Sequence, residues 1–284
     1  MIQYYLYKIG QFWVRRLPIK LAYRIAGCIS VFKYYLSAKD RRAVKNNLEV
    51  IFPGRKDVSH IARDVFRNFG KYLVDFFRMP GLVDEDYISK NIKVDNLEYL
   101  KNALKRNKGV VLLTAHLGNW ELGGFVLSKL GYSMIAVALP HKERTVNDLF
   151  NAQRETEGMI VVPNNVGIRE CIKGLNENKL VALLGDRDFN ANGEVLDFFK
   201  KQTVIPRGPA AFAVKTGAAI IPGFLVRLED DTFHLKLEEP IIPSSEGDKD
   251  KEIRRLMRKG ISIIEENIRA YPSQWFMFQR FWIS

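Results

Sequence analysis

The sequence predicts an α/β protein: a largely parallel central sheet flanked by helices, preceded by an N-terminal helical segment that associates with a membrane. Three observations lead there. From about residue 90, short and nearly uninterrupted apolar runs alternate with stretches of helical periodicity, as in parallel strands buried on both faces. The first 80 residues carry helical periodicity alone. Charge is concentrated at the start: the first sixty residues hold twelve Lys and Arg against three Asp and Glu, in a chain of 284 residues with net charge +12. The expected organisation is a basic, membrane-associating helical region over 1–80 and an α/β unit over 81–284, forming one body.

The N-terminal stretch IKLAYRIAGCISVFKYYL (19–36) is apolar but interrupted by Lys20, Arg24 and Lys33. Its longest uncharged run, Ile25 to Phe32, has eight residues, and a bilayer span needs about 20. No small-residue cleavage site follows, so a signal peptide is not expected either. Basic residues interleaved with Tyr4, Tyr5, Tyr7, Phe12, Trp13, Tyr23, Phe32, Tyr34 and Tyr35 suit a helix lying among lipid headgroups, a reading preferred to a core helix with snorkelling lysines. SAKDRRAVKNNLEVIFP (37–53) reads as a helix stopped at Pro53. DVSHIARDVFRNFGKYLVDFFRM (57–79) is a second, with Ile61, Val65, Phe69, Leu73 and Phe76 along one face and His60 in solvent.

Strands are expected at GVVLLTA (109–115), SMIAVAL (133–139), GMIVVP (158–163), KLVALLG (179–185) and AAIIPGFLV (218–226). TFHLKLEEP (232–240) alternates polar and apolar residues, as an edge strand does. Helices are expected at 119–130, 144–157, 166–177, 208–216 and 248–272. Cys28 and Cys171 lie in apolar patterns with no metal-ligand spacing and are expected to be buried thiols.

The stretch VVLLTAHLGNWELGG (110–124) carries the chemistry. His116 falls just past a buried strand, at the carboxyl end of the sheet where α/β proteins bind ligands. On one continuous helix, residues five apart point roughly 140° away from each other. A turn at Leu117-Gly118 with a helix capped by Asn119 instead lets Glu121 reach back to the imidazole. A carboxylate on one ring nitrogen leaves the other as a general base. With no Gly-x-Ser-x-Gly elbow and no cysteine near this motif in sequence, that base would activate a hydroxyl or water of the substrate. A second stretch, LVALLGDRDFNANG (180–193), sets Asp186, Arg187 and Asp188 after another strand, with a turn at Asn190–Gly193. Arg144 and Arg154 lie on the following helical candidate of the first motif, where an arginine would fork onto phosphate or carboxylate. His141 and His234 have no evident partner or role.

TAHLGNWELGG closely resembles the first motif of the bacterial lipid A biosynthesis (lauroyl/myristoyl) acyltransferases, within the glycerolipid acyltransferase group marked by His, four residues, then Asp or Glu. RTVNDLFNAQRETEGMIVVP, LVALLGDRDFNANG, IPRGPAAFAVKTGAAIIPGFLVR and YPSQWFMFQRFW resemble later segments of that family in the same order, covering most of residues 40–283. The resemblance implies transfer of a fatty acyl group from acyl carrier protein, or from acyl-CoA, to a hydroxyl of a membrane glycolipid such as a lipid A precursor; phosphatidylinositol mannosides fit the same chemistry. It implies His116 as general base, Glu121 as its orienting partner, and Asp186 in the place of a third-motif Glu that shapes the acceptor site. Arg154 matches a family arginine near the site, and Asn119, Arg187 and Arg144 would join it on substrate. No metal and no cofactor beyond the thioester donor is implied. Two departures stand out: the family's N-terminal transmembrane helix is missing or weakened, and Arg187 replaces a common Gln. The expected partners are acidic acyl carrier protein and anionic lipid at the cytoplasmic face of the inner membrane, with peripheral or monotopic attachment. No nucleic-acid module is found. The competing readings are a thioesterase or lipid hydrolase on the same scaffold and a non-enzymatic protein that binds anionic membranes.

Overall fold

Proline breaks and apolar stripes at helical spacing divide the first 80 residues into α1 (Ile2–Arg16), α2 (Ile19–Leu36), α3 (Ala38–Ile51) and α4 (Val58–Arg78). The computed structural model describes residues 2–81, 83–156, 158–163, 167–189 and 193–283. α1 stops before Pro18 and α3 before Pro53, because proline lacks the N–H that would continue each ladder. α4 buries Ile61, Val65, Phe66 and Phe76. It lies against α2 so closely that a Cβ at Gly70 would sit 2.8 Å from the Ala26 carbonyl oxygen, a gap only glycine leaves.

The inner face of α2 is buried at Ala22, Tyr23, Gly27 and Tyr34. Its outer face exposes Leu21, Ile25, Ile29, Phe32 and Leu36 at spacings of three and four, and α1 exposes Tyr5, Leu6, Ile9, Phe12 and Trp13. Exposed Lys20, Arg24 and Lys33 flank this surface. Cys28 is exposed on the same helix, a correction to the expectation of two buried thiols; Cys171 is buried. Among the described residues no helix is long and apolar enough to cross a membrane.

The chain continues through α5 (Glu85–Asn91), β1 (Ile92–Asp95), α6 (Leu97–Leu104), β2 (Val110–Thr114), α7 (Trp120–Lys129), β3 (Met134–Ala138), α8 (Arg144–Glu155) and β4 (Ile160–Pro163). It then runs through α9 (Ile168–Asn176), β5 (Leu180–Leu184), β6 (Glu194–Phe198), β7 (Lys201–Ile205), α10 (Gly208–Thr216), β8 (Ala219–Arg227), β9 (Phe233–Leu237), α11 (Lys249–Ala270) and a 3-10 turn at Pro272–Gln274. Among the described residues a seven-stranded sheet has the order β1-β9-β8-β2-β5-β3-β4. β8, β2, β5, β3 and β4 are parallel, and β9 joins β8 antiparallel. The alternation of each strand sends Val111, Leu113, Val181 and Leu183 into one core with α9, α10 and α11. It sends Val110, Leu112, Leu180 and Met134 into another with α6, α7, α8 and the end of α4.

Two features depart from the sequence expectation. β9 is not at the edge, because β1 pairs parallel outside it and His234 bonds Asp95 at 2.7 Å. The antiparallel hairpin of β6 and β7 turns through Phe199 and Lys200, both with positive φ (51° and 60°), without the Asn-Gly that usually marks such a turn. Tertiary contacts hold it: the Phe199 ring is buried and its N–H donates to Glu265. The expected turn at Asn190–Gly193 lies outside the described residues except for Gly193.

A buried polar cluster ties the helical region to the sheet. Asp75 on α4 accepts from Tyr23 of α2 at 2.5 Å, from Asn119 at 3.0 Å and from the Arg227 guanidinium at the end of β8. Burial works to deprotonate Arg227, but the facing Asp75 carboxylate outweighs it and holds the proton more firmly than usual. Removing one member of such a buried pair leaves an uncompensated charge, which costs about 3–5 kcal/mol. Asp75→Ala is therefore expected to lower unfolding free energy by that amount in chemical denaturation. A loss under about 1 kcal/mol would show that Arg227 finds water or another partner.

Candidate active site

β2 and β5 pair in parallel register with Thr114 opposite Leu184. Two residues further along each strand, the same register brings His116 and Asp186 together. Asp186 is fully buried and ringed by donors: the His116 ring through Nδ1 at 2.9 Å, the His116 backbone N–H at 3.0 Å and the Trp275 indole N–H at 2.9 Å. Burial alone would raise the Asp186 pKa, but the facing imidazole and these hydrogen bonds hold it below the usual carboxylate value. An ionised carboxylate only accepts, so Nδ1 carries a proton, and in the neutral ring the lone pair is then on Nε2. The ring is 15% exposed, and Nε2 has no partner among the described residues.

The turn that carries His116 is tightly held. Gly118 has φ +66°, and a Cβ there would collide with the Leu225 carbonyl oxygen, so the position demands glycine. The Gly118 N–H donates to Gln274 O at 2.9 Å, Asn119 N–H to Leu225 O at 2.7 Å and Phe276 N–H to His116 O at 2.8 Å. Trp120 packs edge-on to the imidazole, with ring centres 5.1 Å apart.

The structure corrects the expected partner of His116. Glu121 lies in the first turn of α7, as the capping argument required, but its carboxylate turns toward α8 and takes both arms of Arg154: Nη2 at 2.6 Å and Nε at 2.9 Å. The pair is about nine-tenths buried on both sides. Burial opposes the charge on Arg154, and Glu121 more than restores it. Asp186, expected to shape the acceptor site, is the residue that meets the imidazole.

Asn119 caps α7 by accepting from Leu122 N–H at 3.1 Å and donates to Asp75, so each end of its buried amide is engaged in holding the fold. Arg144 begins α8 in full solvent, 94% exposed beside Asp148 at 3.8 Å, and does not join the site. Arg154 and Arg187 both line the central cavity. Arg187 donates to Gln279 and stacks on Phe189 at 4.3 Å, and its buried Nε has no hydrogen bond among the described residues. His141, given no role from sequence, also lines the cavity, 4.5 Å from the Phe150 ring. Burial and the Arg154 charge lower its pKa. Sequence reasoning assigned nothing to Trp275; its only signal was membership of the closing motif YPSQWFMFQRFW.

His116 opens onto a cavity of about 850 Å³, lined from both faces of the sheet, within the range of pockets that enclose small organic ligands. The α7 side is apolar and deeply buried, at Leu112, Leu127, Met134, Leu225, Leu235 and Leu237. Among the described lining residues there is no serine, and burial pushes the thiol of Cys171, the lining cysteine, up to about 11. No three His, Cys, Asp or Glu side chains among the described residues gather to hold a metal. The constellation is a carboxylate-steadied base at the mouth of an apolar chamber.

A family model, that of the bacterial lipid A biosynthesis acyltransferases, matches residues 1–284. A phosphatidylinositol mannoside acyltransferase of Mycolicibacterium smegmatis is 28% identical over 284 residues, covering 98% of this chain and 90% of that protein. One from Mycobacterium tuberculosis is 30% identical over 222 residues, covering 76% of this chain and 68% of that protein. The lipid A biosynthesis palmitoleoyltransferase of Escherichia coli is 26% identical over 242 residues, covering 83% and 76%. With the match running the length of the sequence, the chain belongs to the bacterial lipid A biosynthesis acyltransferase family and is an acyltransferase enzyme.

Proposed function

We propose that this enzyme moves a fatty acyl group from a thioester, on acyl carrier protein or coenzyme A, to a hydroxyl of a membrane glycolipid. The observation that carries this reading is the His116–Asp186 pair at the mouth of a largely apolar cavity whose described lining holds no serine and whose Cys171 thiol is raised by burial. Nε2 of His116 takes the proton from the acceptor hydroxyl as its oxygen attacks the thioester carbon. The tetrahedral intermediate collapses, the C–S bond breaks, and the imidazolium returns the proton to the departing sulfur. Asp186 fixes the tautomer and stabilises the imidazolium between the two steps. The positive end of α7 starts four residues beyond His116 and favours negative charge on the thioester oxygen. The Glu121–Arg154 pair braces α7 against α8 beside the reacting groups.

The relatives differ in named substrate, and a glycolipid acceptor is the class common to their names: phosphatidylinositol mannoside in two, lipid A in a third. Attachment to the lipid surface, on the cytoplasmic side where acyl thioesters are available, is supported by the exposed apolar stripes of α1 and α2 with their flanking lysines and arginines. Apolar side chains entering the headgroup boundary and cations meeting anionic lipid give such helices their affinity.

Mass spectrometry of a glycolipid acceptor incubated with acyl thioester should show one added acyl chain; free fatty acid alone would overturn the reading in favour of hydrolysis. His116→Ala should abolish transfer while circular dichroism still shows a folded protein, and Asp186→Asn should lower kcat about 10²–10⁴-fold. Full turnover in either variant would exclude the pair from the chemistry. A Cβ at Gly124, on the cavity side of α7, would meet the tips of Met159 at 3.0 Å and Met134 at 3.5 Å. Gly124→Val should therefore shift donor preference toward shorter chains in a competition assay, and an unchanged profile would place the chain elsewhere. In flotation assays, Ile29→Glu should weaken binding to vesicles containing anionic phospholipid; equal flotation would mean that α2 does not enter the lipid surface.

A further inference from the structure

Beyond the 3-10 turn at Pro272–Gln274 the described chain forms no helix and, apart from one bridge of Trp275 to Leu117, no ladder. Side chains from other parts of the fold pin it instead. Asn68 of α4 donates to the Ser273 carbonyl at 3.0 Å, and Asn47 of α3 to the carbonyls of Met277 at 3.1 Å and Gln279 at 2.9 Å. The Gln274 amide accepts the Arg227 N–H at 2.9 Å and donates to the Arg227 carbonyl at 2.8 Å, as a neighbouring strand would.

This pinned segment delivers the Trp275 indole to the site. The ring is 2% exposed and packs against Phe281 at 5.3 Å and Phe198 at 6.2 Å. A buried indole N–H needs an acceptor. Here the acceptor is Oδ2 of Asp186 at 2.9 Å. Oδ2 also takes the His116 backbone N–H at 3.0 Å, while Oδ1 faces Nδ1 of the ring at 2.9 Å. Two donors thus draw negative charge toward Oδ2, away from the oxygen that faces the imidazole.

We propose that Trp275 is a positioning residue for the transfer reaction: its indole N–H limits how tightly Asp186 holds the protonated His116 ring, and so lets Nε2 both take a proton and release it. This rests on His116 acting as the base in acyl transfer. A carboxylate whose whole charge fell on the ring would keep it protonated. That would hinder the first step, which needs Nε2 free, and the last, which needs the proton to leave. Packing accounts for a buried aromatic here, but not for the aim of its N–H at this one carboxylate. The other charged groups around the pair are engaged elsewhere. Arg187 turns to Gln279, and Asp188 accepts the Gly193 N–H. Glu121 of α7 and Arg154 of α8 hold each other, with Tyr72 of α4 beside them, and His141 lies against Phe150. Asp75 and Arg227 are paired, and Glu265 of α11 takes the Phe199 N–H and Arg269. Ser273 to Gln279 carries no charged side chain.

The test compares the wild-type enzyme with Trp275→Phe and with a protein carrying benzothiophene in place of the Trp275 indole, which keeps the shape and puts sulfur where the N–H was. With palmitoyl-CoA and a phosphatidylinositol mannoside acceptor, the acid limb of the kcat/KM profile should move to higher pH by about 0.5–1 unit in both, a part of what one hydrogen bond to a charged group contributes. A fluoroindole at the same position keeps the N–H and should keep the wild-type limb; an equal move there overturns the proposal. An unmoved limb in the benzothiophene protein also overturns it, whatever happens to kcat, and leaves Trp275 a packing residue. That variant decides the matter even where Trp275→Phe does not fold. A limb moved to lower pH counts against the proposal as well, because Asp186 would then have lost its hold on the ring. Nitrogen NMR of histidine-labelled enzyme, with the His116 signals assigned by their loss in His116→Ala, follows protonation of Nε2 without turnover. The same upward move in NMR with no acyl transfer would sink the transfer reading and spare the effect of Trp275 on the ring. A limb that moves while the ring signals do not would remove that effect, because a different group would then set the profile.

Discussion

The parallel register of two adjacent strands is the constraint on which the site depends. β2 and β5 are paired so that residues two beyond their ends face each other, and those residues are His116 and Asp186. A carboxylate with no solvent exposure is costly to ionise unless donors surround it. Here the imidazole, a backbone N–H and an indole N–H do so, and the pKa is lowered in spite of burial. A slip of one residue between these strands would turn His116 to the opposite face and separate the pair. The His116–Asp186 pair is thus a product of sheet pairing as much as of the motif around His116.

The family's His-x4-Asp/Glu spacing suggests that its two residues touch, and the turn at Gly118 makes that sterically reasonable. In the fold the helix start aims Glu121 at Arg154, thirty-three residues away, while the imidazole takes a carboxylate seventy residues away. Strand runs and helix periodicity were readable because each is encoded within ten or so neighbouring residues. The order in which strands lie side by side is not encoded locally, so the adjacency of β2 and β5 was invisible, and with it the partner of His116. The same reason hid β1 beside β9. The Phe199-Lys200 turn was hidden differently: its left-handed residues are imposed by packing around Phe199 and the bond to Glu265, against local preference. Cys28 was misread because the outer face of α2 is apolar, and an apolar pattern ordinarily marks the inside.

That reversal of the usual amphipathic arrangement is informative. α2 buries small and aromatic residues against α4 and shows solvent its long aliphatic side chains. An exposed apolar surface of this extent marks an interaction site in most soluble folds. Tyr23, on the inner face of the same helix, reaches Asp75, which in turn holds Asn119 at the start of α7. One buried polar cluster therefore ties α2 to the turn that carries His116, and it fixes the position of that turn relative to the exposed apolar face of α2.

Trp275 and its neighbours complete the site from far along the chain, 89 residues after the carboxylate they support. During synthesis at about 5–20 residues per second, roughly 4–18 seconds separate the emergence of Asp186 from that of its indole donor. The apolar helices at the front of the chain are made long before either. On the proposed lipid attachment, a nascent molecule would meet the bilayer with the Asp186 carboxylate still short of one donor, and the site would be completed only after arrival.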